Sequence, residues 1–129
     1  NNNDHESIEK LKKSYIAHIL EKANYYDQLA FQTIERSPKH VFLLHVNQIN
    51  ANFIGDVIDA LRQDGWVLID SDTAYSDPIY QSKPDVLPAG ESLIWALAKQ
   101  KGIAKLRYPA EDAPYEKENL NKFGLSGDL

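Results

Sequence analysis

Between residues 7 and 35, Ile8, Leu11, Tyr15, Ile19, Ala23, Tyr26, Leu29 and Ile34 recur at steps of three, four or five. On a helix such spacing draws a single apolar stripe, so it predicts one long helix from about Ser7 to Glu35. Ile16 and Leu20 widen the stripe, and a face that broad needs a broad surface to cover it. Asp4 or Asn3 can cap the start, and Glu6 sits near the positive end of the helix dipole. Ser37-Pro38 closes the element, because the residue before a proline is pushed out of the helical region.

A different pattern follows. His40-Val-Phe-Leu-Leu-His45 is apolar without alternation, which suits a strand buried on both faces as in a parallel sheet. Asn50 or Asn52 then caps a helix in which Ile54, Val57, Ile58 and Leu61 share one face, with Gly65 as a left-handed stop. Trp66-Val-Leu-Ile69 reads as a second strand. Strand, helix and strand within about thirty residues form a βαβ unit with a right-handed crossover. Beyond it, 71–74 opens a short helical turn that Asp77-Pro78 closes, and Gln81 to Gly90 forms a loop. Glu91 to Lys101 is a helix stopped by Gly102. From Arg107 the chain is an irregular tail, with one short helix at 116–122. The expected organisation is therefore a disordered tail over 1–6, an α/β core over 7–106 and an irregular tail over 107–129. Two strands and three helices leave apolar faces uncovered, since lone pairs of strands are marginal and three or more are usually needed. The missing cover is expected from another copy, or from a missing N-terminal half.

Composition narrows the picture. Across 129 residues, 14 Lys and Arg against 19 Asp and Glu give a net charge of −5. That balance argues against a phosphate-backbone binder. No apolar run approaches the roughly 20 residues of a membrane-spanning helix. With no cysteine there are no disulfides, thiolate metal sites or cysteine nucleophiles, and with no methionine the chain reads as a piece of something longer.

Among residues that can carry chemistry, His45 stands out. It ends the first apolar run just before a helix N-terminus, the position at which α/β sheets meet their substrates. An imidazole there can act as general acid or base, or it can be a structural strand-end residue. His40, five residues earlier, points the other way on a regular strand, so the two do not chelate one metal. His18 has Lys22 rather than a ligand at i+4 and reads as a packing or surface residue, and His5 lies near a frayed end. Asn47 can bind a substrate amide or hydroxyl, whereas Asn50 is expected to cap the next helix. Asp70, Asp72 and Asp77 suit turns and caps better than a metal site. Trp66, Trp95 and the tyrosines suit core packing better than a sugar platform. The chain has no phosphate loop and no nucleophile elbow.

The ordered set of His-Val-Phe-Leu-Leu-His-Val-Asn-Gln-Ile-Asn-Ala from His40, Asp-Gly-Trp-Val-Leu-Ile-Asp from Asp64 and Thr-Ala-Tyr-Ser-Asp-Pro-Ile-Tyr from Thr73 resembles the C-terminal part of polysaccharide deacetylases with the NodB-homology domain. The long first helix and Pro88-Ala-Gly-Glu-Ser-Leu-Ile-Trp95 are similar to that family as well, so the resemblance covers about Tyr15 to Lys101. It implies a partial (β/α) barrel, a divalent metal (zinc in most members), and removal of acetyl groups from N-acetylated polysaccharide or oligosaccharide of the cell envelope. A periplasmic or secreted location follows from the resemblance alone. The family's Leu-x-His motif falls on Leu43, Leu44 and His45, which implies that His45 protonates the leaving amine, with Leu43 and Asn47 on the substrate side. The family's aspartate pair and His-x-x-x-His pair have no counterpart here, so no metal ligand is assigned to this chain and the chain alone is expected to be inactive. The alternative is a non-catalytic α/β interaction module that pairs with another chain. A free-standing βαβ ligand-binding domain, the third possibility, would be a monomer.

Overall fold

The computed structural model describes residues 2–108 and 113–125, with side chains described from Asp4 and, in the second stretch, from Tyr115. Its elements are α1 (Asn2–Ile34), α2 (Gln48–Gln63), α3 (Ser71–Tyr75), a 3-10 helix (Pro78–Gln81), α4 (Leu93–Gln100) and α5 (Ala113–Lys122). Among the described residues there is no strand. The expected α/β fold, with its βαβ unit and partial (β/α) barrel, is therefore corrected to an all-helical one. The physical reason lies in the two apolar runs. Residues 41–46 and 66–70 carry no helix, turn or strand, and neither run forms a backbone ladder. Continuous apolarity marks a strand only where neighbouring strands and covering layers exist. Here Leu43 stays 83% exposed and Val67 82% exposed.

The helical expectations fare differently. α1 begins at Asn2 rather than near Ser7, which replaces the disordered tail over 2–6 and puts Asp4 in its first turn instead of at its cap. It ends at Ile34, one residue before Glu35, which takes a left-handed conformation with φ 60°. Gly65, at φ 94°, ends α2 as the pattern predicts. The 71–74 turn is α3, and Asp77-Pro78 opens a 3-10 helix where the sequence predicts a stop. α4 lies inside the predicted 91–101 span, and Ser92 caps it through the Trp95 amide at 3.2 Å. The expected short helix at 116–122 starts three residues earlier, and the rest of the predicted tail falls partly at 109–112 and 126–129, outside the described residues.

The chain divides into two compact units. One holds α1 as far as Lys22, the stretch Leu44–Val67 with α2, and α5. Ile19, Phe53 and Val57 are its buried apolar residues, with Val57 only 1% exposed. The buried Asn119 of α5 donates through Nδ2 to His18 Nδ1 at 3.0 Å and to Glu21 Oε2 at 2.9 Å. The second unit holds α1 from Ala23, the stretch to Leu43, and Leu68 onward through α4. Its core is Leu29, Ala30, Ile79, Ile94 and Ala98, flanked by Tyr25, Tyr26 and Leu97. Trp95 is buried there and its indole N–H donates to the Arg107 carbonyl at 2.6 Å, which gives the large ring a satisfied polar edge. Lys101 Nζ reaches the Thr33 carbonyl at 2.8 Å and satisfies one of the orphan acceptors at the end of α1.

Candidate functional site

The polypeptide around His45 is held by its neighbours in sequence and by α1. Asn47 is the N-cap of α2: its Oδ1 accepts the Asn50 amide at 2.9 Å. The cap is thus Asn47 and not Asn50 or Asn52, which corrects the sequence expectation. Asn50 instead turns its side chain back, so that Nδ2 donates to the His45 carbonyl at 2.5 Å while Oδ1 accepts from the Tyr15 hydroxyl. A relay from Tyr15 through Asn50 therefore pins the main chain at His45, and the His45 side chain itself stays exposed. Asn47 is exposed as well, with its amide nitrogen left over from capping. Leu43 projects into solvent, and Leu44 is half-buried. Sequence reasoning placed His45, Leu43 and Asn47 together by adjacency. It missed the bond between Tyr15 and Asn50, because a contact spanning 35 residues leaves no local trace.

His40 and His18 are each engaged with partners of their own. His40 Nε2 lies 2.9 Å from Asp27 Oδ1, the oxygen that also accepts from the Ser37 hydroxyl. His18 lines a shallow cavity with Ser14, Tyr15, Glu116 and Asn119. Its contact with Asn119 gives it the packing role that the absence of a ligand at i+4 suggested.

Asp77 forms the most strongly held polar centre of the second unit. Arg36 forks onto it, Nη2 to Oδ1 at 2.6 Å and Nη1 to Oδ2 at 2.8 Å. The Lys39 and Ile79 amides add bonds of 3.0 Å each. The Arg36 guanidinium is the chief cause holding this carboxyl well below the usual carboxylate range, the two amides assist, and burial opposes. The Tyr80 hydroxyl donates to the Lys39 carbonyl at 2.6 Å, so the stretch after α1 is fastened to the 3-10 helix at three points. These bonds satisfy the carboxylate fully, which makes Asp77 a structural clamp and not a free base. Asp70 is likewise engaged as the cap of α3. Its carboxyl accepts the Thr73 amide and hydroxyl, both at 2.8 Å, and those bonds lower its pKa.

Among the described residues, no three of His, Asp and Glu gather as a metal ion requires, so they do not fit the divalent metal that the resemblance implies. Among them, too, no helix is long and apolar enough to cross a membrane. No protein-family model matches the chain, and neither the curated proteins nor the solved structures contain a match.

Proposed function

We propose that this chain is a C-terminal portion of a metal-dependent polysaccharide deacetylase, with His45 as the proton donor to the amine released from an N-acetylated sugar. The reading is carried by the ordered set of segments from His40 to Tyr80, in which Leu43, Leu44 and His45 occupy the places of the family's Leu-x-His motif. The geometry around His45 supports it. The imidazole is exposed while the main chain that carries it is held by Asn50, so a polymer can reach the donor. As the amide C–N bond breaks, the imidazolium gives its proton to the departing nitrogen and is left neutral. Leu43 supplies an apolar face to the sugar, and the Asn47 amide nitrogen a hydrogen-bond donor. The divalent metal of the reaction belongs to residues beyond those described, and in this reading the chain alone turns nothing over. The exported, cell-envelope setting is part of the same proposal.

The test is the coding sequence that precedes Asn1. An adjacent aspartate pair followed by a His-x-x-x-His pair is the expected finding, and an open reading frame that extends upstream without them contradicts the reading.

One observation favours a second role, an interaction module that pairs with another chain. Val41, Phe42, Leu43, Val46, Val67, Leu68 and Ile69 are all large, apolar and exposed. Covering a single leucine is worth about 1.5–3 kcal/mol, so each of these side chains gains when another chain covers it.

A further inference from the structure

We propose that the cavity of the first unit, walled by α1, α2 and α5, is a binding site for a small aliphatic primary amine in its protonated form. Ser14 and Asn119 line it and are only 3% and 4% exposed, yet each keeps hydrogen-bonding capacity unused. The orientation of the Asn119 amide is fixed by its partners. Glu21 Oε2 can only accept, so Nδ2 faces it at 2.9 Å, and the second hydrogen of Nδ2 goes to His18 Nδ1 at 3.0 Å. Oδ1 is what remains, and it accepts from no described group. The Ser14 hydroxyl likewise has no partner among the described residues, and it does not bond to Asn119 although both line one cavity. Buried polar groups left without partners are costly, so a guest that bridges these two is favoured.

The remaining groups select the guest. Asn119 Oδ1 can only accept, and the Tyr15 hydroxyl already donates to Asn50, so its spare capacity is also to accept. Ser14 can do either. The guest is therefore a hydrogen-bond donor several times over, which suits an ammonium head and excludes an anion. Glu116, exposed on the same lining, and the chain's net charge of −5 favour a cation as well. Leu11, Ile49 and Leu120 complete the wall, which gives the head a short alkyl group to carry. The cavity holds about 40 Å³, against roughly 10–15 Å³ for one water on the same measure, so it admits about three heavy atoms. A sugar or a peptide is too large. A bare metal ion lacks ligands, since among the described residues no three of His, Asp and Glu gather.

Ethylammonium is the probe, with ethanol as its uncharged counterpart, each titrated into the full chain at constant pH and ionic strength while backbone amide NMR shifts are read. A guest of about three heavy atoms is limited to a Kd of about a millimolar, so the titration runs to about 100 mM. Saturable shifts confined to the amides around Ser14, Ile49 and Asn119 are expected with ethylammonium, and ethanol should bind about tenfold more weakly or worse. Ser14→Ala should weaken ethylammonium by about tenfold, the loss of one hydrogen bond to a charged group. Glu116→Gln, an exposed change that leaves the fold intact, should weaken it by about two- to fivefold and leave ethanol unaffected. Three results overturn the proposal. They are the absence of saturable shifts, which leaves a cavity for water only; equal binding of ethanol and ethylammonium; and a Glu116→Gln chain, or a folded Ser14→Ala chain, that binds ethylammonium like the parent.

Discussion

Replacing Asp77 by alanine removes four hydrogen bonds and the cap of the 3-10 helix in one step. The carboxylate is 6% exposed, whereas the Arg36 side chain is 44% exposed, so water recovers the guanidinium but not the Lys39 and Ile79 amides. Breaking a fully buried ion pair costs about 3–5 kcal/mol, and the exposure of Arg36 lowers that figure. Two backbone donors lose a charged acceptor, at about 1.5–3 kcal/mol for a bond of that type, and a lost cap costs about 1 kcal/mol. These terms share the same two oxygens and do not add in full, which leaves about 2–4 kcal/mol. Set against a total of about 5–15 kcal/mol for a domain, that loss is easily measured. Urea unfolding, followed together with amide exchange at Lys39 and Ile79, reads it directly. Both amides should lose protection in Asp77→Ala. The reasoning is refuted if unfolding shifts by less than about 0.5 kcal/mol, the range of ordinary surface substitutions, and both amides stay protected. The same clamp has a pH signature. Its native pKa lies below the unfolded value of about 3.9, so its contribution is complete above that value and is lost as pH falls through it toward the native one. The difference in stability between the parent and Asp77→Asn should therefore be constant near neutral pH and shrink below about pH 4.

Three further outcomes follow from the geometry. Asn47→Ala should cost about 1 kcal/mol in urea unfolding, and Asn47→Asp should restore most of it, because the cap needs only a side-chain acceptor for the Asn50 amide. Glu35→Gly should stabilise the chain by about 1 kcal/mol, seen as a rise of a few degrees in thermal unfolding, because Glu35 sits at φ 60°. Incubated with zinc and an N-acetylated oligosaccharide, the chain should release no free acetate above a His45→Ala control, and turnover beyond that control would contradict its proposed inactivity.

The sequence revealed the helices because helical order is local. Ile54, Val57, Ile58 and Leu61 announce α2 within eight residues, and Gly65 and Gly102 end their helices at φ 94° and 82° without help from distant residues. Strands are not local. Val41–Leu44 and Val67–Ile69 have the composition of buried strands, yet a ladder needs partners that composition cannot supply, and both runs remain irregular. Asn47 and Asn50 show the same limit on a smaller scale. Either can cap a helix beginning nearby, and the choice fell to Asn47 because Asn50 is engaged by Tyr15 and the His45 carbonyl. Asp77-Pro78 looks like a turn from its neighbours alone. Its identity as a clamp depends on Arg36, 41 positions away. His45, Leu43 and Asn47 were legible as a group because they are adjacent, and the relay that holds the His45 main chain was not.

The account stands on one physical claim, that within the stretch carrying His45 the backbone of Phe42, Leu43, Leu44 and Val46 finds no hydrogen-bond partner among the described residues. Amide hydrogen exchange across a dilution series measures this directly. At the lowest concentrations the amides of Phe42, Leu43, Leu44 and Val46 should exchange at rates close to those of an unfolded peptide, while Val57 in α2 stays protected. Slow exchange across residues 42–46 that persists unchanged at infinite dilution would contradict the claim.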